Sequence, residues 1–206
     1  ANESSVDKSL ELLRQAYAYS PAQGAVVLAL ADAEAKNDLG VASRLYSEVL
    51  RMEPSCQDAC KGLGMIKQIK GDAKGAHALW HSAHALDPTD TDALCGYATS
   101  MFLSGEGGSD AEELFEKALV LDPEDPSVYC AYGRMLRTYP NSSRAEEMLR
   151  RALELKPNYL SAQLNLGHVL SDDHDDHAGA AELYEQVLLQ SPGHREAVAR
   201  YANLIK

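Results

Sequence analysis

Two short stretches carry most of the residues able to do chemistry. In HALWHSAH, His77, His81 and His84 recur at helical spacing, and His-x3-His can hold a metal. No carboxylate accompanies them as a hydrolytic zinc site requires, so they are expected to be packing residues. In SDDHDDH (171–177), Asp172, Asp173, His174, Asp175, Asp176 and His177 crowd potential ligands together. The run lacks the alternating acids, central glycine and closing glutamate of a calcium loop, and a solvated acidic turn is expected. Four cysteines stand at 56, 60, 95 and 130. The last three are spaced by 35 residues, as small packing residues on equivalent helices would be rather than a disulfide framework. There is no glycine-rich phosphate cradle, nucleophile elbow or Cys-x-x-Cys pair. These residues predict neither catalysis, nor a metal, nor a cofactor.

The elements that must position any site are set by a repeat. Nine-residue phrases such as FEKALVLDP and LRRALELKP end at prolines 21, 54, 88, 123, 157 and 192, with gaps of 33, 34, 35, 34 and 35 residues. Eight residues before each proline stands a bulky side chain: Leu13, Tyr46, Trp80, Phe115, Leu149 and Tyr184. Five before stands Ala16, Val49, Ala83, Ala118, Ala152 or Val187, and twelve before stands Ser9, Ala42, Ala76, Ala111, Ala145 or Ala180. Spacings of three and four put each trio on one helical face, with small residues admitting a close neighbour around a large one. The proline then ends the helix. Upstream, a second apolar helix carries a large-small pair: Leu30-Ala31, Leu63-Gly64, Tyr97-Ala98, Tyr132-Gly133, Leu166-Gly167 and Tyr201-Ala202. Helix starts are expected at Asp125-Pro126 and at two capping boxes, Ser109 with Glu112 and Ser143 with Glu146.

A helix–turn–helix of about 34 residues with Leu-Gly, then Ala, then an aromatic, then Pro resembles the tetratricopeptide repeat. The resemblance spans the chain. It implies an all-α fold, a right-handed superhelical solenoid of antiparallel helix pairs with about 12 helices. We expect a half repeat at 4–21, repeats at 22–54, 55–88, 89–123, 124–157 and 158–192, and a trailing helix at 195–206, all in one array. The half repeat leads us to expect a fragment of a longer protein.

In this family the first helices line a concave groove, and the resemblance places named residues there. Repeat two offers Lys61 and Met65, and repeat three Cys95 and Phe102. Repeat four offers Cys130, Arg134 and Arg137, repeat five Asn165 and His168, and the trailing helix Glu196 and Arg200. The N-terminal part is thus neutral and partly apolar, with Leu28 beside Met65. The C-terminal part gathers four potentially cationic side chains. The family's chaperone-binding carboxylate clamp would fall on Cys130, Arg134, Asn165, Glu196 and Arg200, where two of five residues agree. The asparagine ladder of the glycosyltransferase-linked arrays keeps only Asn165.

Charge limits the partner. With 31 acidic against 19 basic side chains the formal net charge is -12, which disfavours wrapping a nucleic-acid backbone. No apolar run could cross a bilayer. The start ANESSVDKSL has no secretory pattern, so reduced thiols and a cytoplasmic or nuclear location are expected. The sequence therefore predicts a non-catalytic interaction module, a scaffold or adaptor, that holds an extended or helical peptide. Apolar anchors of the peptide would meet Met65 and Phe102, and an acidic group would meet Arg134, Arg137 and Arg200. The alternative is a regulatory or targeting domain of an enzyme whose catalytic part lies elsewhere.

Overall fold

The computed structural model describes residues 3–105, 108–138 and 143–204, with side chains from Lys8 onward. The middle of the SGEGGS turn and the last two residues of the trailing helix lie outside the described residues. Among the described residues twelve helices follow in order: α1 (Glu3–Tyr19), α2 (Gly24–Glu34), α3 (Leu39–Met52), α4 (Gln57–Ile69), α5 (Ala73–Leu86), α6 (Thr91–Ser104), α7 (Gly108–Leu121), α8 (Pro126–Leu136), α9 (Ser143–Leu155), α10 (Leu160–Asp173), α11 (His177–Gln190) and α12 (Arg195–Leu204). No strand occurs among the described residues. The even-numbered helices from α2 to α10 open the repeats, and each odd-numbered partner runs up to the repeating proline. The chain divides into two compact units, residues 1–111 and 112–206.

In the N-terminal unit the repeated trios form the core. Ala42, Ala76, Val49 and Ala83 are buried around Tyr46 and Trp80, and Val27, Leu30, Ala31, Leu63 and Ile66 meet them from the first helices. α2 touches α4, and α4 touches α6, so the first helices of successive repeats adjoin. The Trp80 indole packs tightly against Gly64 of α4 and against Gly96 of α6, and a side chain at residue 96 would collide with it. That is the physical content of the large-small pairing. The half repeat is held by charge as well: Arg14 donates through Nε and Nη2 to Oε1 of buried Glu34, at 3.0 and 2.9 Å.

The C-terminal unit repeats the scheme with Ala145, Leu149, Ala152, Ala180, Tyr184 and Val187 buried. Phe115 stacks on Tyr132 with ring centroids 5.0 Å apart. α8 touches α10, again first helix against first helix.

Helix starts differ from the expected capping boxes. Ser109 and Ser143 lie inside the first turns of α7 and α9 rather than ahead of them. Glu112 accepts from the Tyr132 hydroxyl and from Arg144, and Glu146 from Arg150. The caps are aspartates instead. Asp38, Asp72, Asp90, Asp125 and Asp176 accept backbone N–H bonds at the starts of α3, α5, α6, α8 and α11. Pro126 sits in the first turn of α8 as expected. Gly105 ends α6 in the left-handed conformation, φ 78°.

Candidate functional site

The first helices of the C-terminal unit present a polar wall. α8 contributes Arg134 and its C-cap residue Arg137, α10 contributes Asn165, His168 and Asp172, and α12 contributes Glu196 and Arg200. Side chains join the three helices. Arg137 Nη1 lies 2.7 Å from His168 Nδ1, His168 Nε2 lies 3.5 Å from Glu196 Oε1, and Arg200 Nη1 donates to both Asp172 oxygens at 2.9 and 3.1 Å.

His168 is the centre of this arrangement and its chemistry follows from its neighbours. A guanidinium only donates, so Nδ1 must be the lone-pair nitrogen and the ring proton must sit on Nε2. Burial disfavours the charged ring, and the Arg137 and Arg200 cations disfavour it further, which together bring its pKa down to about 4. At neutral pH the ring is uncharged. The approach of Nε2 to Glu196 is therefore an N–H facing a carboxylate at the edge of reach, and not an ion pair.

The expected count of four cationic groups is corrected to three, because burial keeps His168 neutral. Arg200 is matched by Asp172, a half-exposed pair of the kind that contributes little in water. Arg134 is exposed and makes no hydrogen bond or ion pair among the described residues. Asn165 is 8% exposed and spends its amide N–H on Ser161 O, one turn back, at 2.7 Å. Arg134, Arg137, His168 and Arg200 thus share one wall, and the outward-facing unopposed charge belongs to Arg134.

Elsewhere the expected positions are used internally. Lys61 Nζ lies 2.8 Å from Asp90 and 3.5 Å from Asp58, so its charge is already partnered inside the N-terminal unit. Met65 is 56% exposed and Ile69, one turn on, is similarly open, while Phe102 is half-buried on α6. The three histidines of α5 surround the Tyr97 ring at centroid distances of 5.3, 5.4 and 5.6 Å. No group of three or more His, Cys, Asp or Glu among the described residues is arranged to hold a metal. Cys60 on α4 and Cys130 on α8 are buried, and burial pushes both thiols up, Cys130 to about 11, where they are poor nucleophiles.

Two residues of the wall were not anticipated. Asp172 was expected in a solvated turn, but α10 runs to Asp173 and carries it to Arg200. Tyr184 reads in sequence only as the bulky core residue of its repeat. Its hydroxyl is nevertheless buried beside His168, with ring centroids 5.8 Å apart.

No protein-family model matches the sequence, and no curated protein matches it. Solved structures do. YrrB, described as a TPR protein with an unusual peptide-binding site, is 18% identical, with 92% of this chain and 97% of that chain covered at a TM-score of 0.57. TTC0263 of Thermus thermophilus, a thermophilic TPR protein, is 18% identical over 97% of this chain and 98% of its own, at a TM-score of 0.70. The Cut9–Hcn1 hetero-tetramer of the APC/C gives a TM-score of 0.82 at 20% identity, with 96% of this chain but 39% of that one covered. At such identities the likeness is one of fold. No helix among the described residues is long and apolar enough to cross a membrane.

Proposed function

From a tetratricopeptide fold whose C-terminal unit aligns three first helices, we propose that the chain is a non-catalytic protein-interaction module. Its C-terminal wall receives an acidic group of a partner peptide. The observation that carries this reading is the unopposed Arg134 beside the Arg137–His168 pair, in a chain whose net charge is -12. An exposed guanidinium without a partner offers a planar fork to a carboxylate at no cost of breaking an internal bond. Ala131, one turn before it on α8, is small and leaves room for a peptide backbone. Partners with clustered phosphates are disfavoured, because Asp172 and Glu196 stand on the same wall. The exposed Met65 and Ile69 of the N-terminal unit offer a separate apolar surface on which this reading does not depend.

Random decapeptides displayed on phage test the proposal directly. Peptides retained by the full chain should be enriched in Asp and Glu, and retention should fall when Arg134→Glu replaces the wild type. Enrichment of basic peptides, or equal retention by both proteins, would place binding elsewhere.

A further inference from the structure

The C-terminal unit also carries a cleft that the repeat phrases do not foretell. It has a volume of about 530 Å³ and lies between α9 and α11, with α10 beneath. Buried Leu166 and Leu170 form its floor, and half-buried Leu153 and Leu183 rise on the two walls. Sites that hold ligands commonly measure about 300–1,000 Å³. On α10, His168 stands two residues from each floor leucine, and so on the opposite face of the helix. The cleft is therefore a different surface from the Arg134 wall.

Its mouth is charged. Arg150 and Glu154 of α9, Asp176 at the start of α11 and Glu182 on that helix line it and are exposed. The base is already matched, since Arg150 Nε donates to Glu146 Oε1 at 2.6 Å. Glu154 is shared with Arg151 at 2.7 Å, and Asp176 accepts the Gly179 N–H at the start of α11. Glu182 makes no hydrogen bond or ion pair among the described residues. The turn ahead of α11 adds exposed Asp173 and Asp175 close to Asp176 in the chain. An apolar slot thus opens through a rim whose uncompensated charge is negative. Such a mouth repels a carboxylate and draws in a cation. A neutral apolar group gains burial alone, whereas an apolar group beside a cation gains both.

We propose that this cleft docks a basic segment of a partner protein. One bulky apolar side chain of the segment sits on the four leucines, and an adjacent Lys or Arg meets Glu182 and Asp176. Exposed ion pairs contribute little in water, so the leucines carry most of the affinity. The rim charge selects the partner and speeds its encounter. The cleft does not require the Arg134 wall. Where both are occupied, one chain holds two segments of opposite charge on opposite faces of α10.

The experiment titrates the methyl-labelled full chain with acetyl-Arg-Trp-Arg-amide, read on the methyl resonances of Leu153, Leu170 and Leu183 by nuclear magnetic resonance. Exposed Leu12 of α1 serves as the internal reference. Saturable shifts are expected at the three cleft leucines and not at Leu12. Alanine in place of the probe's tryptophan should weaken binding by about tenfold or more. The acidic probe acetyl-Glu-Trp-Glu-amide should bind about tenfold more weakly than the basic one. Glu182→Lys should weaken the basic probe by about fivefold at low salt, while Glu185→Lys should stay within about twofold of wild type. Glu185 is also exposed on α11 but does not line the cleft, so the pair makes the same charge change at two places. Circular dichroism checks that both variants keep the fold, and Arg134→Glu should leave the titration unchanged. Cleft methyls that do not move, or that saturate equally with the acidic probe, overturn the proposal. Equal weakening by Glu182→Lys and Glu185→Lys also overturns it, because that reports net charge and not the cleft. Shifts of the same methyls on dilution of the protein alone would assign the cleft to a second copy of the chain, again overturning it.

Discussion

A single methyl group at residue 96 probes how the repeats of the N-terminal unit fit together. The Trp80 indole is 4% exposed between α4 and α6, with Gly64 on one side and Gly96 on the other. A Cβ at residue 64 would stand 3.0 Å from Trp80 Nε1 and 3.1 Å from Cε2, which a shift of a few tenths of an ångström relieves. A Cβ at residue 96 would fall among Cδ2, Cε3 and Cζ3 at far closer range, and a rigid ring held between two helices cannot yield as a flexible chain would. Both changes gain about 1 kcal/mol of helix propensity. Overpacking costs about 1–3 kcal/mol, with Gly64→Ala near the lower bound and Gly96→Ala at the upper. Gly64→Ala should thus be close to neutral and Gly96→Ala destabilising by about 2 kcal/mol, a drop of roughly 4–8 °C in Tm for a chain this size. Trp80 is the sole tryptophan, so its fluorescence during urea unfolding reports this contact while far-ultraviolet circular dichroism reports the whole chain. If Gly96→Ala unfolds with or after Gly64→Ala, the close approach of α6 to Trp80 is wrong.

Other perturbations should sort in the same way. Tyr46→Phe removes a hydroxyl bonded to Asp32 and should cost about 1 kcal/mol, while Tyr184→Phe removes an orphaned one and should change stability by less than about 0.5 kcal/mol; paired thermal melts check both. Arg14→Ala leaves buried Glu34 without its donors and should cost about 2 kcal/mol in urea unfolding, with loss of α1 protection in hydrogen exchange. His168 has a folded pKa of about 4 against about 6.5 unfolded, so the unfolded chain binds the extra proton first. Its contribution is present above pH 6.5 and is lost as pH falls toward 4, a loss of about 3 kcal/mol at most that His168→Asn should lack in urea titrations across this range.

The repeat was legible because its signal is carried by bulk and period. Prolines, paired small residues and one large side chain per repeat specify which faces meet, and Trp80 against Gly64 and Gly96 shows why the small partners are needed. Caps were less legible. An aspartate ahead of a helix leaves no distinctive spacing, so Asp38, Asp72 and Asp176 carried no cap signal in the sequence, and the Ser-x-x-Glu pattern proved misleading where Glu112 had Tyr132 and Arg144 to serve. For the site, helical register sufficed to bring Arg137, His168 and Arg200 onto one wall. It could not show that burial strips His168 of its charge, nor that Asp90, from the turn after α5, takes up Lys61. Those outcomes depend on side chains from other elements, which periodicity does not record.

Isothermal titration of one phage-selected acidic peptide against wild type, Arg134→Glu and Asp175→Asn bears most directly on the claim that the C-terminal wall is the binding surface. Asp175 lies in the exposed turn before α11 at φ 52°, a conformation asparagine also accepts, so its change should leave affinity untouched. Arg134→Glu should weaken the complex by roughly thirtyfold or more if the peptide buries the contact, and by about fivefold, with strong salt dependence, if the contact stays at a rim. Equal affinities for wild type and Arg134→Glu would contradict the assignment of this wall.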